Sequence, residues 1–546
     1  MYDQRPPWER NEERYGGLDA ARFNAVVLMI LGVVAVGAGV WLFALGGLKS
    51  IGLADKGLPE RGTIVDVGQG ERPPFEWGGC KFDIPVGVKV DCGYLTVPEN
   101  RSDPASRTIR LHVGIFRSEN ANKAADPILY LGGGPGENST EASSYFFDDA
   151  IEPLLATRDY IVLDQRGTGF SSPHLDCPEL DDAYREHFDE DLSREEQRSV
   201  SQDAIVRCHD RLVNEGVNLA AYRSAESAAD VNDLRLALGY EQWNIHGVSY
   251  GTRLALTVMR DYPQGVRSVI LDSSYPPQQN LYTGFTANAR RAFDAFFNGC
   301  RADPTCNAHY PSLEAVFFQT VDALNADPVT DSITNPITDE TYEFTIIDGD
   351  GFMEFLFQGL YSTELIPYLP AIIYQVASGD TEFLARVLGG FFALEELFTP
   401  GMHFSVQCSD EVVFTTPEEV AASIAPYPEL RGLTAGDAFS GEGVFSVCQS
   451  WGSAAADPKE NQPVTSDIPT LVLAGEYDPI TPPEWGQQVA DTLARRYFYV
   501  FPGVGHGVAT AHDCPHGITL AFLADPAAAL DASCIGGMGG PPWMVQ

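Results

Sequence analysis

Basic residues are scarce. Lysine and arginine number 35 against 76 aspartates and glutamates, a formal charge of −41. A surface so acidic repels polyanions, which excludes nucleic acid and anionic lipid as principal partners. The ten cysteines include no CxxC and no clustered Cys/His spacing, so a metal site is not the reason for their number. The 546 residues contain no internal repeat and no extended low-complexity tract, which excludes solenoids and repeat arrays. What is present, 44% hydrophobic and 11% aromatic residues, is ample for a large packed core.

One apolar run is long. Residues Ala25 to Leu48, AVVLMILGVVAVGAGVWLFALGGL, carry no charge and as a helix would cross roughly 30 Å of hydrocarbon. The run exceeds the apolar core of about 7 to 15 residues in a signal peptide, and no clear small-x-small cleavage site follows it. The expectation is an uncleaved transmembrane anchor, with secretion after cleavage as the alternative. Arg5, Arg10, Arg14 and Arg22 precede the run, while Lys49, Lys56 and Arg61 follow it. That bias assigns residues 1–24 to the cytoplasm and the rest to the outer side of the cytoplasmic membrane, through a Gly- and charge-rich linker over 49–74. An even cysteine count agrees with an oxidising compartment. Cys80 with Cys92, Cys300 with Cys306 and Cys514 with Cys534 are local couples; Cys177, Cys208, Cys408 and Cys448 are left without an evident order of pairing.

From Phe75 onward, TIRLHVGIF, DPILYLGGGPG and YIVLDQRGTGFS each read as a β-rich run ending in a glycine-bearing turn. Helical patterns follow in REEQRSVSQDAIVRCHDRLVNEG and SAESAADVNDLRLALGY, then the strands WNIHGV and RSVILDSS. This alternation predicts an α/β fold, a mostly parallel sheet with helices on both faces. The first part of that core occupies 75–275. Residues 276–466 are helix-rich and aromatic and read as a helical cap, or as an independent second domain. Strand alternation returns over 467–546 in IPTLVLAGEYDP and RRYFYVFPGVGHG.

Gly247-Val-Ser249-Tyr-Gly251 lies where a predicted strand meets a predicted helix. The pentapeptide alone is weak evidence, but the context is that of a nucleophile elbow, where flanking glycines allow a sharp turn and the helix start favours developing negative charge. A serine hydroxyl needs a base. His506, in PGVGHG after a strand, is the best candidate; His512 and His516 are rivals that do not directly follow a strand. The imidazolium needs an oriented acid, for which Asp478 in LVLAGEYDPITP is preferred to Glu476. The order Ser249, Asp478, His506 is that of α/β-hydrolases. Gly132, Gly133 and Gly134 offer an oxyanion loop, with Gly133 and Gly134 as backbone donors beside the N–H of Tyr250. This chemistry requires neither a metal nor an organic cofactor.

Taken in order, GGGPG, DQRGTGFSS, GVSYGTRLAL, GEYDPITPP and GVGHG resemble the α/β-hydrolase exopeptidases of the proline iminopeptidase and tripeptidyl aminopeptidase type, with their TAP-like C-terminal segment, over roughly Cys80 to Cys534. The resemblance implies a serine peptidase that releases short units from free peptide N-termini beneath a helical cap. Many relatives have His before the oxyanion glycines where this chain has Leu131. A partly buried ammonium must be paired. Asp410 and Glu411 in FSVQCSDEV are expected to hold it, by similarity to an acidic pair after a cysteine in TAP-like relatives, with Glu137 as a further choice. The leading expectation is therefore a membrane-anchored aminopeptidase acting on peptides. An esterase or lipase with the same triad, and a non-catalytic binding ectodomain, are the alternatives; Ser249 in place of Asp argues against dehalogenase or epoxide hydrolase chemistry.

Overall fold

The computed structural model describes residues 72–545, apart from 188–191, 335–340, 396, 435–440, 442 and 453. Short runs rich in β-branched and aromatic residues form the strands β1 (Phe75–Gly78), β2 (Val90–Pro98), β3 (Thr108–Phe116), β4 (Ile128–Leu131), β5 (Tyr160–Leu163), β6 (Trp243–Val248), β7 (Val266–Asp272), β8 (Val329–Thr334), β9 (Thr341–Ile347), β10 (Thr470–Gly475) and β11 (Arg496–Phe501). Nine make one sheet in the order β1-β2-β3-β5-β4-β6-β7-β10-β11. The β1-β2-β3-β5 pairings are antiparallel, and those from β5 to β11 are parallel. β5 and β10 are buried along their whole length, as strands covered on both faces must be.

One face of the sheet packs against the helices Arg194–Asn214, Ser224–Leu238 and Tyr250–Asp261 around Leu212, Leu234, Leu254 and Val258. The other packs against Phe147, Ile151 and the helix Asp513–Ala524 through Ile518 and Phe522. Strand ends at the parallel side therefore open onto loops held between two layers of helix, the place where an open α/β sheet positions its functional groups.

Between β7 and β10 the chain leaves the sheet. The helices Leu281–Ala302 and Gly349–Gly359 gather a separate aromatic core of Phe293, Phe296, Phe317 and Phe352, which meets the sheet body through Tyr477 and Ile480. Two features differ from the expected cap over 276–466. First, β8 and β9 form an antiparallel ribbon, because VTDSIT alternates exposed and inward positions at a period of two that the apolar helices around it obscure. Second, the helices Pro400–Asp410 and Gly443–Trp451 belong to the sheet body: Met402, Phe404, Val406 and Trp451 join its core, and Cys408–Cys448 ties the two helices together. The helix Pro400–Asp410 is buried from Gly401 to Asp410, so it cannot sit on a solvated cap surface.

The three local cysteine couples are bonded as pairs, and the four remaining cysteines join as Cys177–Cys208 and Cys408–Cys448. The expected anchor Ala25–Leu48 lies outside the described residues. Among the described residues, no helix is long and apolar enough to cross a membrane.

Candidate active site

Ser249 occupies the single-residue turn between β6 and the helix Tyr250–Asp261, with φ 57° and ψ −124°. A side-chain-bearing residue adopts that conformation only where its surroundings impose it. The surroundings are glycine: a Cβ on Gly247 would stand 2.4 Å from the Gly251 carbonyl oxygen, and one on Gly251 would stand 1.9 Å from that of Leu131. The Ser249 N–H donates to the Asp272 carbonyl at 3.0 Å, and its own carbonyl accepts from the Thr252 N–H at 2.8 Å and hydroxyl at 2.6 Å. The turn is thereby fixed, while the Ser249 Oγ is buried and has no hydrogen-bond partner.

Asp478 follows β10 and is fully buried. Its Oδ1 accepts the N–H groups of Ile480 (3.0 Å) and Thr481 (2.9 Å); its Oδ2 accepts the Thr481 hydroxyl (2.7 Å) and faces His506 Nδ1 at 2.8 Å. Burial alone would raise this carboxyl, but the His506 ring and the Thr481 donors hold it below the ordinary aspartate value. A carboxylate accepts only, so Nδ1 carries the proton and Nε2 presents its lone pair. That Nε2 is buried with no partner. Glu476 accepts the Gly503 N–H at 2.9 Å instead, so of the two acids it is Asp478 that meets His506. His512 lies exposed just before the helix Asp513–Ala524, and His516 lies within that helix.

Four further residues place the imidazole. The Asp272 carboxylate accepts the N–H groups of Val508 (2.7 Å) and Ala509 (2.8 Å), and the Ser273 hydroxyl accepts that of Gly507 (3.0 Å). From the cap, the Tyr361 carbonyl accepts the His506 N–H at 2.9 Å and the Thr363 hydroxyl accepts that of Gly505 at 3.0 Å. Asp272 thus anchors both the serine turn and the histidine loop. Thr481, Asp272 and Thr363 escaped the sequence reading. Thr481 was legible in principle, since Asp-x-x-Thr is a side-chain-to-backbone turn pattern; Thr363 carries no local signal.

The glycine loop differs from expectation in one donor. The Gly133 N–H is taken by Glu137 Oε2 at 3.0 Å, so it does not point free toward a substrate oxygen. Gly134, at φ 104°, and the Tyr250 N–H remain, the latter at the first helical position, where no intrahelical acceptor exists.

Asp410 and Glu411 do not form a substrate-facing pair. Asp410 Oδ2 accepts the Ser224 N–H at 2.9 Å and so caps the helix Ser224–Leu238, where an anion meets the positive end of the dipole. Glu411 is paired with the Arg253 guanidinium and accepts the Leu281 N–H at 3.1 Å. Both acids are buried in scaffold roles, and neither lines the cavity that reaches the histidine. That cavity, of about 290 Å³, is bounded by His506 and Glu137 among others. Among the described residues, no three His, Cys, Asp or Glu side chains converge as a metal site.

Residues 126–306 match the family described as the alpha/beta hydrolase fold, and residues 435–534 match the TAP-like protein family. The chain thus carries an α/β-hydrolase fold region followed by a TAP-like segment. Along almost its whole length it is similar to the serine protease Hip1 of Mycobacterium tuberculosis, 24% identical over 536 residues that cover 93% of this chain and 98% of that one. The tripeptidyl aminopeptidase of Streptomyces lividans is 26% identical over 231 residues, 40% of this chain and 42% of that protein. The proline iminopeptidase of Xylella fastidiosa is 22% identical over 157 residues, 29% and 35% of the two chains.

Proposed function

We propose that this α/β-hydrolase is a membrane-anchored serine exopeptidase that cleaves peptides from a free N-terminus outside the cytoplasmic membrane. The observation that carries the reading is the buried Asp478–His506 hydrogen bond at 2.8 Å, with His506 Nε2 and the Ser249 hydroxyl both buried and without a hydrogen-bond partner. The similarity to proteins named serine protease, tripeptidyl aminopeptidase and proline iminopeptidase supports the choice of peptide over ester. The charge-free run Ala25–Leu48 and the five disulfides support the compartment.

In this reading His506 Nε2 takes the Ser249 hydroxyl proton as Oγ bonds to the scissile carbonyl carbon. The carbonyl oxygen becomes an oxyanion held by the N–H groups of Tyr250 and Gly134. The imidazolium, steadied by Asp478, then protonates the leaving amine as the C–N bond breaks. A water molecule repeats the sequence on the acyl-enzyme, returning the proton and the free serine. The N-terminal fragment is released as an acid.

The test is hydrolysis by the full-length protein of one chromogenic tripeptide anilide, free or acetylated at its N-terminus. Cleavage of the free form alone, lowered about 10⁴-fold or more in Ser249→Ala, is expected. Equal cleavage of the acetylated form overturns the exopeptidase reading and leaves an endopeptidase or esterase.

A further inference from the structure

Exposed apolar side chains concentrate near the point where the chain enters the folded body. Eight large ones are exposed among the described residues, and four of these are Trp77, Ile84, Val86 and Tyr145. Trp77 lies on the edge strand β1, the first element after Arg72. Ile84 and Val86 lie in the loop that leads from β1 to β2. The Ser144 hydroxyl donates to the Asp83 carbonyl at 2.6 Å, which brings the end of the helix Ser139–Tyr145 beside that loop. Elsewhere such residues are scattered singly, as Val213 and Val413 are, which is ordinary for a protein surface.

The loop is held on both sides, so its exposure is a property of the fold. Cys80–Cys92 closes its base, and Phe82 is buried with its ring centroid 6.0 Å from that of Phe116. The Val88 N–H donates to the Pro85 carbonyl at 3.2 Å, and the Lys89 carbonyl accepts the Arg117 N–H at 2.9 Å. Between these fixed points Ile84 stands exposed and Val86 fully exposed. The charge of the segment is also unlike that of the whole. KFDIPVGVK, Lys81 to Lys89, holds two bases and one acid in a chain of 35 bases and 76 acids. Both lysines are exposed, and neither forms an ion pair among the described residues. Acids at the same end of the sheet are neutralised: Asp91 by Arg117, and Asp159 by Arg117 and Lys123. An apolar tip between exposed cations, with Trp and Tyr close by, has the composition of a segment resting in a phospholipid interface. There apolar side chains reach the acyl boundary, ammonium groups meet phosphates, and aromatic rings sit at headgroup level.

The expected anchor ends at Leu48, 24 positions before Arg72. At full extension that stretch spans about 80 Å, so covalent length alone does not set which face of the body meets the bilayer. We infer that the loop Lys81–Lys89 seats in the headgroup layer of the bilayer that holds the anchor, with Ile84 and Val86 inserted and the two lysines on lipid phosphates. The inference rests on the membrane-anchored reading above. The acidic remainder of the surface is repelled by an anionic bilayer and turns outward. Lys89 is bonded to Arg117, which follows Phe116, the partner of Tyr160 at the start of β5. Ser249 follows the far end of β6, a strand that runs parallel to β4 and β5. The seated loop therefore lies at the strand starts and the serine turn at the strand ends, and Ser249 faces the compartment rather than the lipid.

The full-length protein is reconstituted in phosphatidylcholine vesicles containing one-quarter phosphatidylglycerol and floated through alkaline carbonate, which tests the anchor alone. Hydrogen exchange over residues 81–89 is then compared between these vesicles and nonionic detergent micelles, with the helix that carries Val213 as internal reference. Exchange in wild type is expected to be at least about fivefold slower in vesicles, with no change in the reference helix. The slowing is expected to vanish in Ile84→Ser with Val86→Ser and to weaken in Lys81→Gln with Lys89→Gln, and near-UV circular dichroism equal to that of wild type shows both variants folded. Flotation with no slowing in wild type, or slowing that survives intact in either double variant, overturns the inference and leaves the anchor standing. Slowing that grows with the protein-to-lipid ratio assigns the loop to a second copy of the chain and overturns it as well. A protein that does not float refutes the membrane reading itself, and the inference falls with it.

Discussion

Replacing Glu411 by glutamine keeps the shape of the side chain and removes its charge, which separates a scaffold role from a substrate role. Arg253 and Glu411 are each 2% exposed, and the guanidinium also lies over the Tyr275 ring at 5.1 Å. In the variant the cation retains only neutral acceptors, the carbonyls of Asp410 at 2.9 Å and Glu460 at 3.4 Å, with an amide where its counter-ion stood. Removing one partner of a buried pair costs about 3–5 kcal/mol, because the other charge stays out of water unpaired. The unfolding entropy of a folded body this size is about 1 kcal/mol per kelvin, so Tm should fall by about 3–5 °C. Near-UV circular dichroism during heating measures the fall, and kcat and KM on the free tripeptide anilide are recorded well below the transition. The double change Arg253→Met with Glu411→Leu should recover most of the loss, since an apolar pair of similar volume is at least as stable as the ion pair. A raised KM at unchanged Tm in Glu411→Gln would refute the assignment and return the acid to the substrate.

Thr481→Val removes the hydroxyl that donates to Asp478 at 2.7 Å and should lower kcat about 10- to 100-fold with KM nearly constant, as expected for a charged hydrogen bond worth about 1.5–3 kcal/mol; an unchanged kcat would show that His506 alone orients the acid. His403 is buried against the Pro135 carbonyl and its value is pulled down to about 4 by burial. The unfolded chain therefore takes up this proton first: the stability it preserves is complete above its ordinary value of 6.5 and is lost as pH falls toward 4, up to about 3 kcal/mol. Urea unfolding at pH 7 and pH 4.5 should show that slope in wild type and a shallower one in His403→Gln. Changing both Cys408 and Cys448 to serine frees a loop of 40 residues between the helices Pro400–Asp410 and Gly443–Trp451 and should cost about 4 kcal/mol in urea unfolding, whereas a midpoint within error of wild type would mean that packing alone holds the two helices.

The three positions proposed as a triad stand out in the sequence because each is marked locally. Ser249 needs glycine on both sides for steric reasons that one pentapeptide displays, and Asp478 and His506 each follow a strand whose β-rich run is plain in the sequence. The sheet was legible for the same reason, since buried parallel strands read as continuous apolar runs. The ribbon β8–β9 was not, because a short strand of Thr, Asp and Ser carries little signal among long apolar helices. The division of the inserted segment was not legible either. The helix Pro400–Asp410 lies within the helix-rich inserted segment, and only tertiary packing and the Cys408–Cys448 bond show which core it joins. In the oxyanion loop, the pattern of glycines identifies the turn but not which N–H is already occupied; Glu137 claims that of Gly133 by reaching back four residues.

The acids illustrate a limit of another kind. Whether a carboxylate is available to a substrate depends on whether the fold has already given it a cation or a helix end, and those partners lie far along the chain: 158 residues separate Glu411 from Arg253, and 186 separate Asp410 from Ser224. A motif can mark an acid as buried and rigid, as the neighbouring Cys408 does here, but burial and rigidity serve a scaffold ion pair as well as a binding site. Availability to a substrate requires the absence of an internal cation. Glu137 lacks a cation, but so does Asp410, whose Oδ1 is buried without a partner, so that property alone does not tell the two apart. In a chain with 76 acids and 35 bases, most carboxylates lack a partner for want of enough cations, and on the solvated surface this costs little. An unpaired carboxylate that is buried, as Glu137 is, keeps a desolvation cost. The scarcity of basic residues therefore leaves several buried acids to be satisfied by other means: Asp478 by Thr481 and His506, Asp272 by the N–H groups of Val508 and Ala509, Asp410 by the start of a helix, and Glu137 by neutral donors.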